Sequence, residues 1–276
     1  MKGLAYVGPV AASTPVDELA ERPKRIGQGG RRGDPRKQWQ GIAVHALHKS
    51  GTMFLYQFFK RLAAQHQYPF YSANNQPPNE LVGVPPRDSQ FCCCPLRTFE
   101  IDTAWSKLPS LFRIFHVRDP RDMLVSEYFS FGWSHRAEGD EGNKLVGRRE
   151  EIQKMSIDDY VLNQPEFSNW SLEQKFHPLV ERDLCPASEL LVKYETMVTC
   201  FPAWVAKVIP PFGFRFPRIA AARLSWKYRN EFHPSGKGTH KRAITPGDFR
   251  RQLRPDTIAI LNKRFARVLE KFEYEL

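Results

Sequence analysis

The sequence predicts an α/β domain in which a mostly parallel central sheet is flanked by helices on both faces. Two stretches, 41–64 and 111–131, each read as a short apolar run, a tight polar turn and a helically spaced segment. A third apolar run, 189–194 (ELLVKY), reads as another buried strand, and helical spacing recurs beyond it. Short apolar runs alternating with helical periodicity are the pattern of strands covered on two sides by helices.

Residues 1–38 show no sustained periodicity, and 21–37 is rich in Gly, Pro and Arg. That composition predicts a flexible, basic arm, with the ordered domain spanning 39–276. The first strand is predicted at 41–47 (GIAVHAL), short and partly β-branched. His48-Lys49-Ser50-Gly51 interrupts it, and 52–64 (TMFLYQFFKRLAA) is apolar at Phe54, Leu55, Phe58, Phe59 and Leu62, as a helix requires. Downstream, 111–117 (LFRIFHV) is a predicted strand and Arg118-Asp119 a turn. Pro120 opens a helix to Phe131, since its missing N–H removes nothing in a first turn. The charged, Gly-containing 134–151 is predicted as a surface loop. Further helices are expected near 202–209, 218–231 and 256–272.

At 276 residues the chain is long enough for one large core. Lys plus Arg number 41 against 30 Asp plus Glu, a formal charge of +11, so the partners to expect are anionic: nucleic acid, a membrane surface or a phosphate-rich small ligand. The five cysteines include the adjacent Cys92, Cys93 and Cys94. Neither a disulfide framework nor the separated pairs of a zinc site fits that spacing, which favours buried thiols in a reducing, cytoplasmic setting. No apolar run reaches the roughly 18 residues a membrane span needs.

A strand that feeds a helix through a short loop leaves several backbone N–H groups unpaired at the positive end of the helix dipole, which is an anion site. In HKSGT, Gly51 permits close approach of the backbone, Lys49 adds a full charge, and Ser50 and Thr52 add hydroxyls. Ala46 stands where a Walker A loop needs glycine, which disfavours an ordinary P-loop nucleotidase. A plain polar turn accounts for this segment equally well. At the end of the second strand stands Arg118-Asp119-Pro120-Arg121-Asp122, with Ser126 eight residues after Arg118. Ligands of α/β sheets gather beyond the carboxyl ends of strands, so Arg118 belongs near the edge that carries Lys49. A guanidinium there grips a phosphate, or else pairs with Asp119 or Asp122 in a salt-bridged turn.

Together these stretches resemble the sulfotransferases that use 3′-phosphoadenosine 5′-phosphosulfate (PAPS). HKSGTMFLYQFF is similar to their PAPS loop, PKSGTTWL. FHVRDPRDMLVSEYFSF resembles their 3′-phosphate motif, VKYETM the later segment whose Tyr meets the adenosine, and HKRAITPGDF (240–249) the segment R-K-G-x-x-G-D-W. The four follow in the family's order across 41–249. The resemblance implies a single P-loop-like domain in which Lys49 meets the oxygen bridging phosphate and sulfuryl group. It implies that Ser50, Gly51 and Thr52, with Met53 beside them, wrap the 5′-phosphate, and that Arg118, Ser126 and Arg242 hold the 3′-phosphate. Phe54 and Tyr194 would pack on the adenine. The sequence departs from the family at His48 for Pro, Met53-Phe54 for Thr-Trp and Ala243-Ile244 for Lys-Gly. No His occupies 93–99, where many members carry their catalytic base.

Sulfuryl transfer resembles phosphoryl transfer, an in-line displacement in which charge builds on the leaving oxygen. The chemistry needs a fixed cation there, the role for Lys49, and no metal. The base candidates are Glu80, Asp88 and Glu100; the resemblance prefers Glu80, since some sulfotransferases use a carboxylate from the segment after the first helix. His45 and His116 fall inside predicted strands and read as packed side chains. The aromatic, amide-rich 68–86 suits an acceptor pocket or lid, and 134–151 a second lid. These segments fit a small polar or cationic acceptor better than a steroid, sulfated on a hydroxyl or on an amine or guanidinium nitrogen. The motif wording resembles bacterial natural-product sulfotransferases, among them enzymes of guanidinium alkaloid toxins. Two rival readings are a nucleotide or small-molecule kinase and a basic nucleic-acid-binding protein. The kinase needs the absent Walker A glycine, and the nucleic-acid binder needs a continuous basic stripe.

Overall fold

The computed structural model describes residues 39–72, 90–100, 110–134, 148–163, 171–228 and 245–276. Five strands, β1 (Gly41–Ala46), β2 (Phe70–Tyr71), β3 (Phe91–Leu96), β4 (Leu111–Val117) and β5 (Glu189–Lys193), form one sheet in the order β2-β3-β1-β4-β5. Every pairing described is parallel. The register sets Ala46 beside His116 and Val117 beside Lys193. The carboxyl ends of β1, β4 and β5 are therefore level, and the segments that follow them emerge along one edge.

Side chains alternate along each strand, and the two resulting sets feed two cores. Ile42, Val44 and Ala46 of β1 and Ile114 of β4 pack under α1 (Thr52–Gln65) and α6 (Phe201–Val208), through Leu55, Phe58, Phe59, Trp204 and Val205. Tyr228, just after α7 (Pro217–Lys227), closes that layer. Phe115 and Val117 face the other way. They meet α2 (Pro120–Phe129), α3 (Ile157–Asn163), α4 (Leu172–Val180) and the C-terminal α8 (Phe249–Gln252), α9 (Pro255–Arg264) and α10 (Ala266–Lys271). The expected α/β domain with helices on both faces is the one observed. Among the described residues, no helix is long and apolar enough to cross a membrane.

Glycine opens β1 for a steric reason: a Cβ at Gly41 would stand 2.2 Å from the Phe91 ring of β3. Capping is local. Asp119 caps α2 by accepting from the Arg121 N–H at 2.9 Å, with Pro120 in the first turn. Ser171 and Gln174 form a reciprocal capping box on α4.

The structure corrects several boundaries. α2 ends at Phe129 and passes into a π-helical turn, Ser130–Ser134. Residues 148–151, expected as the end of a loop, belong to a helix that runs to 154, because Ile152 is buried in the second core and packs on Gly132. Tyr194 ends no strand; it starts α5 (Tyr194–Thr199). The single helix expected at 256–272 breaks at Phe265, whose backbone (φ −101°, ψ 14°) turns the ring into the core. The thiols of Cys92, Cys93 and Cys94 line buried β3 as free cysteines, and burial pushes the Cys93 thiol up to about 12. The predicted arm, 1–38, lies outside the described residues.

Arg121 ties the β4 end to the C-terminal layer. Its buried guanidinium grips the Asp119 carboxylate through Nε (3.0 Å) and Nη2 (2.7 Å) and donates to the Asn262 side chain (2.6 Å) and the Glu275 carbonyl (2.6 Å). It also lies 4.1 Å from the centre of the Phe249 ring. Losing one member of such a pair strands the other in a dry site, at a cost of about 3–5 kcal/mol. Arg121→Met should lose about that much stability in urea unfolding, and Arg121→Met with Asp119→Asn clearly less. A single-variant loss below about 1 kcal/mol would refute this account of the pair.

Candidate functional site

The loop between β1 and α1 is tightly curled and leaves the helix start without a side-chain cap. Lys49 (φ 68°) and Gly51 (φ 81°) both adopt left-handed backbone conformations, and that curls residues 47–51 around the start of α1. Gly51 is the N-cap; no side chain caps the helix, and its first turn has no acidic residue. Any side chain at Gly51 would also crowd Met197 Cε at 3.1 Å and the Tyr194 ring at 3.3 Å. The buried Ser50 hydroxyl donates to the Leu47 carbonyl at 2.5 Å, so in this structure it closes the loop. Thr52 is buried at the helix start, and Met53 is 63% exposed.

Arg118, at the end of β4, reaches this loop. Its Nη1 donates to the Lys49 carbonyl at 2.6 Å, and its guanidinium lies 4.3 Å from the centre of the Tyr194 ring. Tyr194 follows β5 directly, so three strand ends contribute to one locus. The salt-bridged-turn alternative does not hold. Asp119 is engaged by Arg121, and Asp122 accepts from the backbone N–H groups of Gly247 (2.7 Å) and Phe249 (2.9 Å). Arg118 is only 4% exposed, and its Nε has no hydrogen-bond partner among the described residues. A buried donor left over beside an uncapped helix start is what an anion site requires.

Lys49 carries the other charge. Its ammonium lies 5.7 Å from the centre of the Phe131 ring, against which His48 also stacks. Burial lowers the Lys49 pKa to about 8; Glu127 opposes that shift, while Arg118 and Arg97 add to it. Glu127 sits on α2 immediately after Ser126 and one turn before Phe131, so it shares the helix face over which Lys49 lies. The sequence reading overlooked this carboxylate, although it stands within the Arg118–Ser126 motif and a helical projection places it beside Phe131.

The remaining expected residues divide. Ser126 is half-buried, two turns into α2. Phe54 belongs to an aromatic cluster, with ring centres of Phe58 at 5.7 Å, Phe201 at 5.7 Å and Tyr228 at 5.8 Å. Glu100 is exposed. Tyr68, assigned with 68–86 to an acceptor pocket, is instead a core residue at 7% exposure. Glu80, Asp88 and Arg242 lie outside the described residues, as do 73–86 of that pocket and 135–147 of the second lid. His45 and His116 are packed, as expected: burial lowers their pKa values to about 4 and about 3. Both are neutral near pH 7.

No protein-family model matches the sequence, and no curated protein does. Solved structures do match. A mouse sulfotransferase complexed with PAP is similar at 15% identity over 86% of this chain and 87% of its own, with a TM-score of 0.55. A retinol dehydratase in complex with androsterone and inactive cofactor PAP matches at 14% identity over 84% of this chain and 80% of its own, with a TM-score of 0.47. At such identity the likeness establishes the fold: this chain folds as that mouse sulfotransferase does.

The Lys49 shift carries a sign that can be tested. An ammonium depressed to about 8 destabilises the folded chain fully below that pH, and the penalty fades as pH rises toward the unfolded value of 10.5. Lys49→Met should therefore melt above the parent protein at pH 7, with the gap closing by pH 10. A gap that is absent or that widens with pH would show that Lys49 is not held at a cost.

Proposed function

We propose that this chain is a sulfotransferase that moves the sulfuryl group of PAPS to a small acceptor. The observation that carries the proposal is the convergence of Lys49, Arg118 and Tyr194 at three level strand ends around an uncapped helix start. The shared fold with a sulfotransferase whose structure contains PAP supports it. PAPS, when bound, supplies the activated sulfuryl group and a leaving phosphate.

The residues then have distinct tasks. Lys49 holds positive charge at the oxygen that becomes negative as the bridging bond breaks. The first-turn N–H groups of α1, with Ser50, Gly51 and Thr52, cradle the 5′-phosphate. Arg118, whose Nε has no hydrogen-bond partner among the described residues, would hold the 3′-phosphate, with Ser126 and Arg242 as further donors. Tyr194, backed by Arg118, offers a ring to the adenine, and Phe54 joins it from the aromatic cluster. A second anionic ligand charge near Lys49 would raise its pKa again, so the lysine is fully charged when the nucleotide is in place.

A base must take the acceptor proton. To Glu80, Asp88 and Glu100 we add Glu127, which stands on α2 four residues before Phe131 and acts electrostatically on Lys49. An acidic group there also suits a polar or cationic acceptor, such as the guanidinium of a natural product, in a metal-independent cytoplasmic reaction of secondary metabolism. The acceptor atom is a hydroxyl oxygen or an amine or guanidinium nitrogen.

PAP should raise the melting temperature, while ATP with Mg²⁺ and an oligonucleotide should shift it far less. No shift with PAP would remove the nucleotide from the proposal. Lys49→Ala should cut turnover by about 10²–10³ while the fold survives, as loss of a donor at a developing oxyanion does; near-normal turnover would take Lys49 out of the mechanism. Glu127→Gln should lower kcat and abolish the acid limb of the pH profile of kcat/KM. An unchanged limb would return the role of base to Glu80, Asp88 or Glu100.

A further inference from the structure

The last residues of the chain fold back onto the strand ends that carry the site. Tyr274 donates its hydroxyl to Glu195 Oε2 at 3.1 Å. The Glu275 carbonyl accepts from Arg121 Nη2 at 2.6 Å, and the Glu273 carbonyl accepts from Lys193 Nζ at 3.2 Å. The Lys193 ammonium also lies 4.8 Å from the centre of the Tyr274 ring. Phe272, buried among α4 residues such as Phe176, anchors the segment behind these contacts.

Glu195 is the node. It follows Tyr194 directly, and its Oε1 accepts from the backbone N–H of Asp119, the residue after Arg118, at 3.0 Å. One carboxylate thus spans the ends of β4 and β5, with one oxygen on each side of the bridge and Tyr274 fixing the second oxygen. Burial raises the Tyr274 hydroxyl well above its ordinary range, so it keeps its proton and remains a donor. Both neighbours of this bridge face the site: Arg118 Nη1 holds the Lys49 carbonyl, and its guanidinium stacks on Tyr194.

We infer that Tyr274 is a positioning residue for the nucleotide: through Glu195 it sets the spacing between the Arg118 guanidinium and the Tyr194 ring. This rests on the nucleotide reading given above. Neither Tyr274 nor Glu195 touches the ligand in this scheme. Their effect passes through the backbone of Asp119 and through Tyr194, which a rotation of either strand end would displace together.

The test is a double-mutant cycle read by calorimetric titration with PAP, using the full chain, Tyr274→Phe, Arg118→Ala and the double variant. Tyr274→Phe should weaken PAP binding about tenfold in the parent, the scale of one hydrogen bond to a charged group, and less than about twofold in the Arg118→Ala background. Leu276→Ala, at an exposed position, should leave PAP binding unchanged. Equal weakening in both backgrounds would mean a purely structural role and overturn the inference, as would unchanged binding by Tyr274→Phe. Should that variant fail to fold, Glu195→Gln, which spoils one side of the same bridge, is read in its place by the same criteria. If PAP fails to bind the parent protein, it is the nucleotide reading that falls, and the positioning role falls with it.

Discussion

The hydrogen bond from Arg118 to the Lys49 carbonyl is the contact on which the site depends. Parallel pairing of β4 with β1 brings the two residues to one edge, and this bond fixes the loop of one strand to the side chain of the other. It joins two cations that would otherwise separate. The arrangement is costly in the free protein: a non-glycine residue at φ 68°, an ammonium held near pKa 8, and a buried guanidinium with an idle donor. Unfavourable terms of this kind persist where the surrounding fold over-determines them, and they mark sites arranged for a ligand.

The surrounding fold supplies that constraint through acidic residues that serve structure. Asp119, Asp122 and Glu195 all stand next to or near the cations, and simple charge counting would let them neutralise the site. Each is engaged elsewhere: Asp119 with Arg121, Asp122 with the N–H groups of Gly247 and Phe249, Glu195 with Asp119 N–H and Tyr274. The bonds of Asp119 and Asp122 run into the C-terminal layer, while Glu195 joins the end of β4 to Tyr274. Arg118 still acts through space on Asp122 and Glu195, and Glu127 on Lys49. Asp122 also fastens the turn before α8 to α2, through Gly247 and Phe249.

The chain's aromatic content has a similar logic. Phe54, Phe58, Phe201, Trp204 and Tyr228 form one cluster that locks α1 to α6 and α7. The start of α1, which no side chain caps, is thereby held by packing a turn further on. Tertiary packing of this kind offsets the helix-end stabilisation that a polar cap would supply.

The sequence by itself determined the α/β class, the two strand–turn–helix units and the third strand, because apolar periodicity and turn chemistry are local properties that survive without the rest of the chain. It also pointed to Lys49, Gly51 and Arg118 through loop and strand-end chemistry, and to Tyr194 through the family resemblance of VKYETM. It left open whether Arg118 pairs with the aspartates beside it, and it gave no sign of Tyr274 or of the break at Phe265. Those were decided by the tertiary structure. Glu195 and Tyr274 lie 79 residues apart in the chain, as Asp122 and Phe249 lie 127 apart, and contacts across such separations leave no periodic trace. Which carboxylates serve the fold and which cations remain for a ligand is set only once the strand ends and the C-terminal layer meet.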